Sequence, residues 1–302
     1  NSRQRQMCIR DRDYINLFIE SSLGILMWTL NQIFFQVPIY ENFFWGLIII
    51  SIIVWMLELI FPWRKNQKIF RKDFWVDIIY MFFNFFFFSI VIAGFYDIFN
   101  KLIIDIFGFT SNSIVLIDLS LFSSLSQLLI FFIVLDFFQW LTHIMMHRFN
   151  FLWKFHKVHH SVKEMGFAAH FHYHWMENIL YKPLKVLAVM LIGGFEPDQA
   201  YIVHFLAITI GHLNHSNIKL SYGPLKYIFN NPIMHLHHHA YTSSNNFKTG
   251  VNFAISLSMW DYIFKTIHIP NENGNVKLGY EGDEKMSKTF FGQLLYGFKK
   301  GD

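Results

Sequence analysis

Three long apolar runs dominate the first half of the chain and constrain its fold most strongly. They cover residues 43–61, 74–99 and 125–142, and the first holds a single charged side chain, Glu58, near its end. A run of about 20 apolar residues is long enough to cross a bilayer as a helix. Hydrophobic residues make up 53% of the chain and charged residues only 15%, against about 25% charged residues in an ordinary soluble domain. The sequence therefore predicts an all-α integral membrane protein.

Two weaker features add to these spans. Residues 184–195 and 199–213 are shorter apolar runs, joined by Gly193-Gly194 and Glu196-Pro197, and this pattern predicts a helical hairpin that dips into the membrane. Residues 17–37 are weakly apolar, which leaves open whether they span the bilayer or lie at its surface. Three to four transmembrane helices plus one helical hairpin are thus expected.

Charge and cysteine content exclude several classes of protein. The net charge of +4 is modest and shows no basic pattern typical of nucleic-acid binding, so nucleic acid is not an expected partner. The single cysteine, Cys8, permits neither an intrachain disulfide nor a thiolate metal site. Residues 1–13 resemble a translated sequencing adapter rather than a native segment. We therefore expect one membrane domain over residues 14–302.

The histidines are confined to one part of the chain. All sixteen lie between His143 and His268, and half of them form three spaced clusters, H-x-x-x-H followed by two copies of H-x-x-H-H. The clustered residues are His143, His147, His156, His159, His160, His235, His238 and His239. Residues three and four apart project from the same face of a helix. Neutral imidazole is a ligand for iron, zinc, copper and nickel, so the spacing indicates a transition-metal site.

The number of clustered histidines exceeds the needs of one metal ion. A zinc site takes about four ligands, so eight imidazoles favour two ions sharing the clusters. A non-haem di-iron centre fits best, although zinc would occupy the same nitrogens and the spacing leaves both open.

The basic residues predict the orientation in the membrane. Residues 64–72 hold five basic side chains and no acidic one, which places that loop in the cytoplasm by the positive-inside rule. Two crossings, by residues 74–99 and 125–142, return the chain to the same side, and the hairpin enters and leaves on that side. All three clusters are then predicted to meet in a cytoplasmic, histidine-rich helical cap that holds a dinuclear metal site.

These motifs resemble those of the fatty acid hydroxylase and sterol desaturase superfamily of membrane oxygenases. The three histidine boxes of that family correspond to residues 143–147, 156–160 and 235–239. The segment from Trp260 to Thr266 resembles its W-D-x-x-F-G-T element, and Glu58 through Arg64 resemble its E-x-x-x-P-x-R element. The likeness covers residues 43–268 and leaves 269–302 as a C-terminal tail.

Two further histidines and one carboxylate match the family pattern. His174 and Glu177 resemble its R-x-H-P-x-E element, in which His172 and Trp175 here replace the arginine and the proline. His215 resembles the lone histidine before the third box. The resemblance therefore implies ten metal ligands, namely the eight clustered histidines together with His174 and His215. The altered middle element leaves the substrate open.

Carboxylates near the clusters are candidates for supporting roles. Asp136 precedes His143 by seven residues, or about two helical turns, and is predicted to accept the second ring N–H of a ligand histidine. Glu177 is a candidate ligand or supporting acid, and Asp261 is expected to be structural. Asp136 and Glu177 are thus the predicted catalytic residues.

The resemblance implies an oxygen-dependent di-iron enzyme that hydroxylates or desaturates a C–H bond of a sterol, fatty acyl or alkyl chain. No dinucleotide fingerprint or haem-attachment motif occurs in the sequence, so a separate electron donor is expected, such as a cytochrome b5-like protein, a ferredoxin or a reductase. The alternatives are a membrane metal-ion transporter and a catalytically inactive metal-binding membrane protein. Transport sites are expected within the spans near the midplane, whereas the boxes follow the apolar runs.

Overall fold

The computed structural model describes residues 2–107, 115–194, 197–241, 250–271 and 274–298. The described part of the chain is mostly helical, as predicted. Its α-helices are α1 (Ser2–Ile33), α2 (Phe43–Ile60), α3 (Phe74–Phe82), α4 (Phe88–Phe107), α5 (Ser124–Arg148), α6 (Asn150–His160), α7 (Trp175–Leu191), α8 (Pro197–His215), α9 (Pro232–His238), α10 (Met259–Ile263) and α11 (Phe290–Leu294). Strands β1 (Ile117–Asp118) and β2 (Ile192–Gly193) form a short parallel ladder.

Three helical stretches of the described residues are long and apolar enough to cross a membrane: Phe43–Ile60, Phe74–Ile106 and Ser124–Arg148. They coincide with the three predicted spans. The second is continuous because a π-helical turn, Phe83–Phe87, joins α3 to α4. Helix α1, which holds most of residues 17–37, is not one of the three.

The chain divides into two compact units. The first comprises Asn1–Ile48 and Met81–Val115. Within it α1 packs along α4, and the Phe18 ring meets the Phe95 ring edge to face at 5.1 Å. A side chain at Gly94 would overlap the Phe18 ring, so glycine is needed there for this close approach.

The second unit, Ile49–Tyr80 with Leu116–Asp302, holds all the histidines. Helices α5, α7 and α8 pack around one apolar core in which Phe131, Leu135, Ala188, Val203 and Leu257 are buried. Burying such side chains stabilises a fold by about 2 kcal/mol each. This core holds together the helices that carry the histidines.

Helix α5 extends beyond the predicted apolar run. It begins at a Ser123 cap, whose side chain accepts a hydrogen bond from the Ser126 N–H, and continues to Arg148. His143 and His147 therefore lie on the last turns of the third candidate span rather than after it. An apolar run marks only the hydrophobic part of a helix. The helix itself continues through the polar residues that follow the run.

The predicted hairpin corresponds to α7 and α8. Helix α7 starts at Trp175, nine residues before the apolar run that predicted it, because its first two turns carry polar residues that hydropathy does not detect. Residues 195–196 of the connection lie outside the described part of the chain.

Candidate metal centre

The clustered histidines converge into two groups. Group 1 comprises His143, His147, His156, His160 and His238, and group 2 comprises His159, His215, His235 and His239. Within each group the ligand nitrogens all lie within 4.8 Å of one another. Apart from the half-buried His147, every member is buried.

The two H-x-x-H-H boxes divide between the groups in opposite ways. On α6, His156 and His160 are one turn apart and enter group 1, while His159 enters group 2. On α9 and its C-cap, His235 and His239 enter group 2 while His238 enters group 1. Each box therefore supplies a pair, four residues apart, to one group and a single histidine to the other.

The nitrogen positions fit bound metal ions. His143 Nε2 lies 3.1 Å from His156 Nε2, which lies 3.2 Å from His160 Nε2. In group 2, His215 Nε2 lies 3.3 Å from His159 Nε2 and 3.0 Å from His235 Nε2. Ligands about 2.0–2.1 Å from a shared ion stand about 3 Å apart, whereas facing imidazole lone pairs without a cation repel.

Orphaned nitrogens support the same conclusion. The Nε2 atoms of His147, His238 and His239 are buried and have no hydrogen-bond partner in the described structure. A buried polar atom without a partner costs about 1–3 kcal/mol. A transition metal in each group would satisfy these atoms.

Backbone carbonyls fix the tautomers of four of these histidines. The Nδ1–H groups of His143 and His238 donate to Phe253 O at 2.6 Å and Val251 O at 2.7 Å. A carbonyl only accepts, so Nδ1 carries the proton and the Nε2 lone pair faces the group. His159 and His215 donate in the same way to the carbonyls of residues 172 and 211, at 3.0 Å and 2.7 Å.

Burial keeps the imidazoles in the metal-binding protonation state. Loss of solvent lowers the pKa of His159 to about 4 and that of His238 to about 3. The same cause lowers the pKa of His156 and His239 well below the ordinary value. Neutral imidazole is the form that binds a metal ion, so the groups are ready for metal at neutral pH.

Glu177 lies beside group 1. Its Oε1 is 3.2 Å from His156 Nδ1, and neither of these buried atoms makes a hydrogen bond within the described part of the chain. Burial raises the pKa of Glu177 well above its usual range. At this position the Glu177 side chain can orient the His156 ring without itself belonging to group 1.

The predicted role of Asp136 is corrected by the structure. Its carboxylate is buried and accepts from the N–H groups of Ser256 and Leu257, at 3.1 and 3.0 Å, and from the Trp260 indole at 3.1 Å. The ring proton of His143 goes to Phe253 O instead. Two helical turns separate Asp136 from His143 by about 10 Å along the axis, which is too far for a direct bond. Asp136 ties α5 to the 256–260 segment.

His174 is the one predicted ligand that the structure leaves outside both groups. Its Nδ1 accepts from the Met176 N–H as the N-cap of α7, and its Nε2 donates to Leu294 O at 2.9 Å. Both nitrogens are thus engaged elsewhere. The prediction that His174 ligates metal is therefore corrected to a capping role.

Two contributors were missed by sequence reasoning. Phe253 O and Val251 O hold ligand histidines through their main chain, so no side-chain signal marks them. Asp261 positions that segment by accepting from the N–H groups of Phe253 and Ala254, which confirms its expected structural role. The W-D-x-x-F motif was the available signal for this segment.

A second missed feature lies behind His159. His172, whose carbonyl accepts from His159, places its own Nδ1 2.5 Å from Asp77 Oδ1. Asp77 in turn forms a buried ion pair with Arg71. The family-like middle element thus supports group 2 through its backbone.

Comparison with known proteins agrees with this geometry. Residues 128–266, which include all nine grouped histidines, match the family model described as fatty acid hydroxylase. An ornithine lipid hydroxylase of Rhizobium tropici is 28% identical over 174 residues, covering 58% of this chain and 51% of that protein. The alkylglycerol monooxygenase of Homo sapiens is 29% identical over 146 residues, covering 47% of this chain and 30% of that protein.

The chain spans about half the length of the first of these relatives and less of the second. No solved structure matches it significantly. The family match and the similar proteins point to the same family as the three histidine boxes. These findings support the likeness of residues 128–266 to the fatty acid hydroxylase and sterol desaturase superfamily.

Proposed function

We propose that this protein is an oxygen-dependent lipid hydroxylase with iron in groups 1 and 2. The observation that carries the proposal is the pair of neighbouring, all-histidine groups with converging Nε2 atoms. The similar proteins, an ornithine lipid hydroxylase and an alkylglycerol monooxygenase, support hydroxylation over desaturation. The three apolar helices support a membrane protein whose substrate is a lipid.

The reaction balances as R–H + O2 + 2 e⁻ + 2 H⁺ giving R–OH + H2O. Bound iron would supply dioxygen activation, which protein side chains alone do not provide. The electrons come from a separate protein donor, such as a cytochrome b5-like protein, a ferredoxin or a reductase.

The residues of the chain have definite parts in this scheme. The grouped histidines hold the metals, and the carbonyls of Phe253 and Val251 keep two of them in the required tautomer. Glu177, whose pKa burial raises above its usual range, lies 3.2 Å from His156 Nδ1 and offers an oxygen to that side of the ring. The Trp153 and Phe253 rings pack 5.0 Å and 4.9 Å from His147 and shield group 1 from water.

The test combines metal analysis with lipid mass spectrometry. Protein purified from iron-replete cells is expected to carry about two iron ions per chain, and lipids of the expressing host should gain species heavier by one oxygen atom. Incubation under ¹⁸O2 with a reductant should place the label in that product. A His156→Ala variant should lose the product, whereas a lipid that only loses two hydrogens would identify a desaturase. Protein that is folded but free of metal would contradict the proposal.

A further inference from the structure

The C-terminal segment, residues 289–298, lies outside the part of the chain that matches the family model. It nevertheless packs against the unit that holds the histidines, through helix α11 and the residues that follow it. The Leu294 carbonyl accepts hydrogen bonds from His174 Nε2 and from the Trp175 indole N–H, both at 2.9 Å. These two bonds attach the C-terminal segment to the start of α7.

A glycine allows the C-terminal segment to approach α6 closely. Gly297 has a positive φ of 85°, and a side chain there would overlap the Phe155 ring, because its first carbon would lie 2.7 Å from a ring atom. The Gly297 carbonyl accepts from Lys154 Nζ at 2.5 Å. The Phe298 ring then packs 5.2 Å from the Phe155 ring and stacks on Trp175 at 5.6 Å. Gly297 is therefore needed both for the turn and for the contact with α6.

The outward side of the C-terminal segment is apolar. Phe291 is 74% exposed, and Leu295 and Phe298 are each more than half exposed. On α6, Phe151 is also more than half exposed, and its ring lies 5.7 Å from the Phe155 ring. Because the Phe155 ring contacts both Phe151 and Phe298, the exposed rings of α6 and of the segment lie on neighbouring parts of the surface. Exposed apolar side chains that stand together mark a binding or membrane surface.

Two contacts place this surface at the level of the membrane boundary. Phe149, the residue before α6, directly follows Arg148, the last residue of the third candidate span. On α11, the Phe290 ring meets the Tyr80 ring edge to face at 4.9 Å. Tyr80 lies within the second candidate span, which begins at Phe74, and is about 9 Å along the helix axis from that beginning. The C-terminal segment therefore lies level with the first turns of the second span and close to the end of the third.

The charges around this surface fit lipid headgroups. Residues 149–160 and 286–298 carry lysines and no acidic side chain. Aromatic rings next to basic residues are typical of the membrane interface, where the rings lie among the headgroups and the cations meet anionic lipids. Two copies of the chain that met through this surface would instead bring like charges together, which is unfavourable. The surface therefore favours lipid over a second copy of the chain.

We propose that the C-terminal segment is a membrane-interface anchor. The side chains of Phe291, Leu295 and Phe298 insert among the lipids of the leaflet next to the histidine boxes. The hydrogen bonds to Leu294 O then hold the start of α7 against that leaflet. This role is independent of the reaction and goes beyond the proposed function, because it assigns a lipid-binding surface to residues outside the family-like region.

The test uses nitroxide labels on the full chain in phosphatidylcholine vesicles. After Cys8→Ser, single substitutions Phe291→Cys, Leu295→Cys and Phe298→Cys are labelled, and Lys285→Cys provides an exposed polar control. Collisions with dissolved oxygen, which concentrates in lipid, are compared with collisions with a water-soluble nickel chelate. The ratio of oxygen to nickel collisions is expected to be several-fold higher at the three apolar positions than at the control.

A second measurement needs no substitution in the segment. A phosphatidylcholine that carries a photoreactive diazirine near its headgroup is incorporated into vesicles with the unaltered protein. After illumination, peptides that cover residues 290–298 should carry the lipid label, whereas peptides around Lys285 should not. Thermal unfolding of each labelled cysteine variant, compared with the Cys8→Ser protein, shows whether the fold is retained.

Two results with the nitroxide labels would overturn the inference. Nickel collisions at Phe291→Cys, Leu295→Cys and Phe298→Cys that are as frequent as at Lys285→Cys would show that the surface faces water. Rare collisions with both reagents would show that protein, such as a second copy of the chain, covers it. Photolabelling of the three spans that leaves residues 290–298 unlabelled would overturn it equally. None of these measurements uses turnover, so failure of the proposed function would leave them unchanged.

Discussion

At the scale of single residues, the third box contains its own control. His235, His238 and His239 belong to the metal groups, whereas His237, between them in sequence, lies outside both. Its ring is 6.0 Å from that of His268. Position on the helix, rather than residue type, decides which histidine faces the groups, because successive residues on a helix point about 100° apart.

We expect His238→Ala and His239→Ala each to lower the bound iron, through group 1 and group 2 respectively, while His237→Ala retains it. The physical reason is that each alanine removes one Nε2 donor from a group of four or five. The measurement is iron per chain in protein purified from iron-replete cells. Full iron content in both His238→Ala and His239→Ala would show that these nitrogens do not bind metal.

At the scale of elements, α7 begins where the prediction expected a metal ligand. The His174 side chain caps the helix by accepting from the Met176 N–H at 3.1 Å. A cap satisfies one of the backbone donors that the first helical turn leaves unpaired. The same histidine also donates to Leu294 O, so it joins α7 to the C-terminal tail.

His174→Ala is expected to lower stability by about 1 kcal/mol, the usual cost of a lost cap, with iron content unchanged. His174→Asn keeps a capping acceptor and should recover part of the stability, although it is too short to be assumed to reach Leu294 O. Thermal unfolding and iron analysis of the three proteins provide the comparison. A variant that unfolds normally but lacks one iron ion would restore the ligand assignment.

At the scale of the whole molecule, the buried imidazoles make the metal-free protein sensitive to acid. Burial holds the pKa of His159 at about 4 and that of His238 at about 3, below the ordinary 6.5. The unfolded chain therefore takes up protons below pH 6.5 that the folded chain does not. Stability that is present above pH 6.5 is lost as the pH falls, by up to about 1.4 kcal/mol per pH unit for each such histidine.

Metal-stripped protein should accordingly unfold at a lower temperature at pH 5.5 than at pH 7.5. Calorimetry or circular dichroism in one detergent, at constant ionic strength, measures the difference. A Tm that is equal or higher at pH 5.5 would show that these histidines are not held neutral in the folded protein.

Orientation in the membrane is the other property of the whole molecule. We expect the 64–72 loop and the histidine boxes to face the cytoplasm. The basic residues of the loop place it on the cytoplasmic side, and the second and third spans then cross the membrane twice and return the chain to that side. After Cys8→Ser, single cysteines at Asn66 and Lys285 should be shielded from an impermeant thiol reagent added to intact cells. One at Leu121, which is 97% exposed before α5, should react. Labelling of Asn66 and Lys285 on opposite sides would contradict this topology.

The sequence alone determined the parts of this protein that depend on local patterns. Apolar runs predicted the three membrane helices because hydrophobic length is a property of consecutive residues. The spacing of the boxes predicted a shared metal centre because residues three and four apart share a helix face. The end of α5 was missed by six residues, since hydropathy fades before the helix does.

The tertiary structure alone decided which histidine joins which group and what lies behind it. His143 finds its partner carbonyl 110 residues away at Phe253, and a backbone oxygen leaves no mark in the sequence. Asp136 and His174 have the right residue types for the metal centre, yet their hydrogen bonds go to a distant segment and to a helix end. Long-range packing sets these pairings, because every backbone group offers the same donor or acceptor and only the fold decides which ones meet.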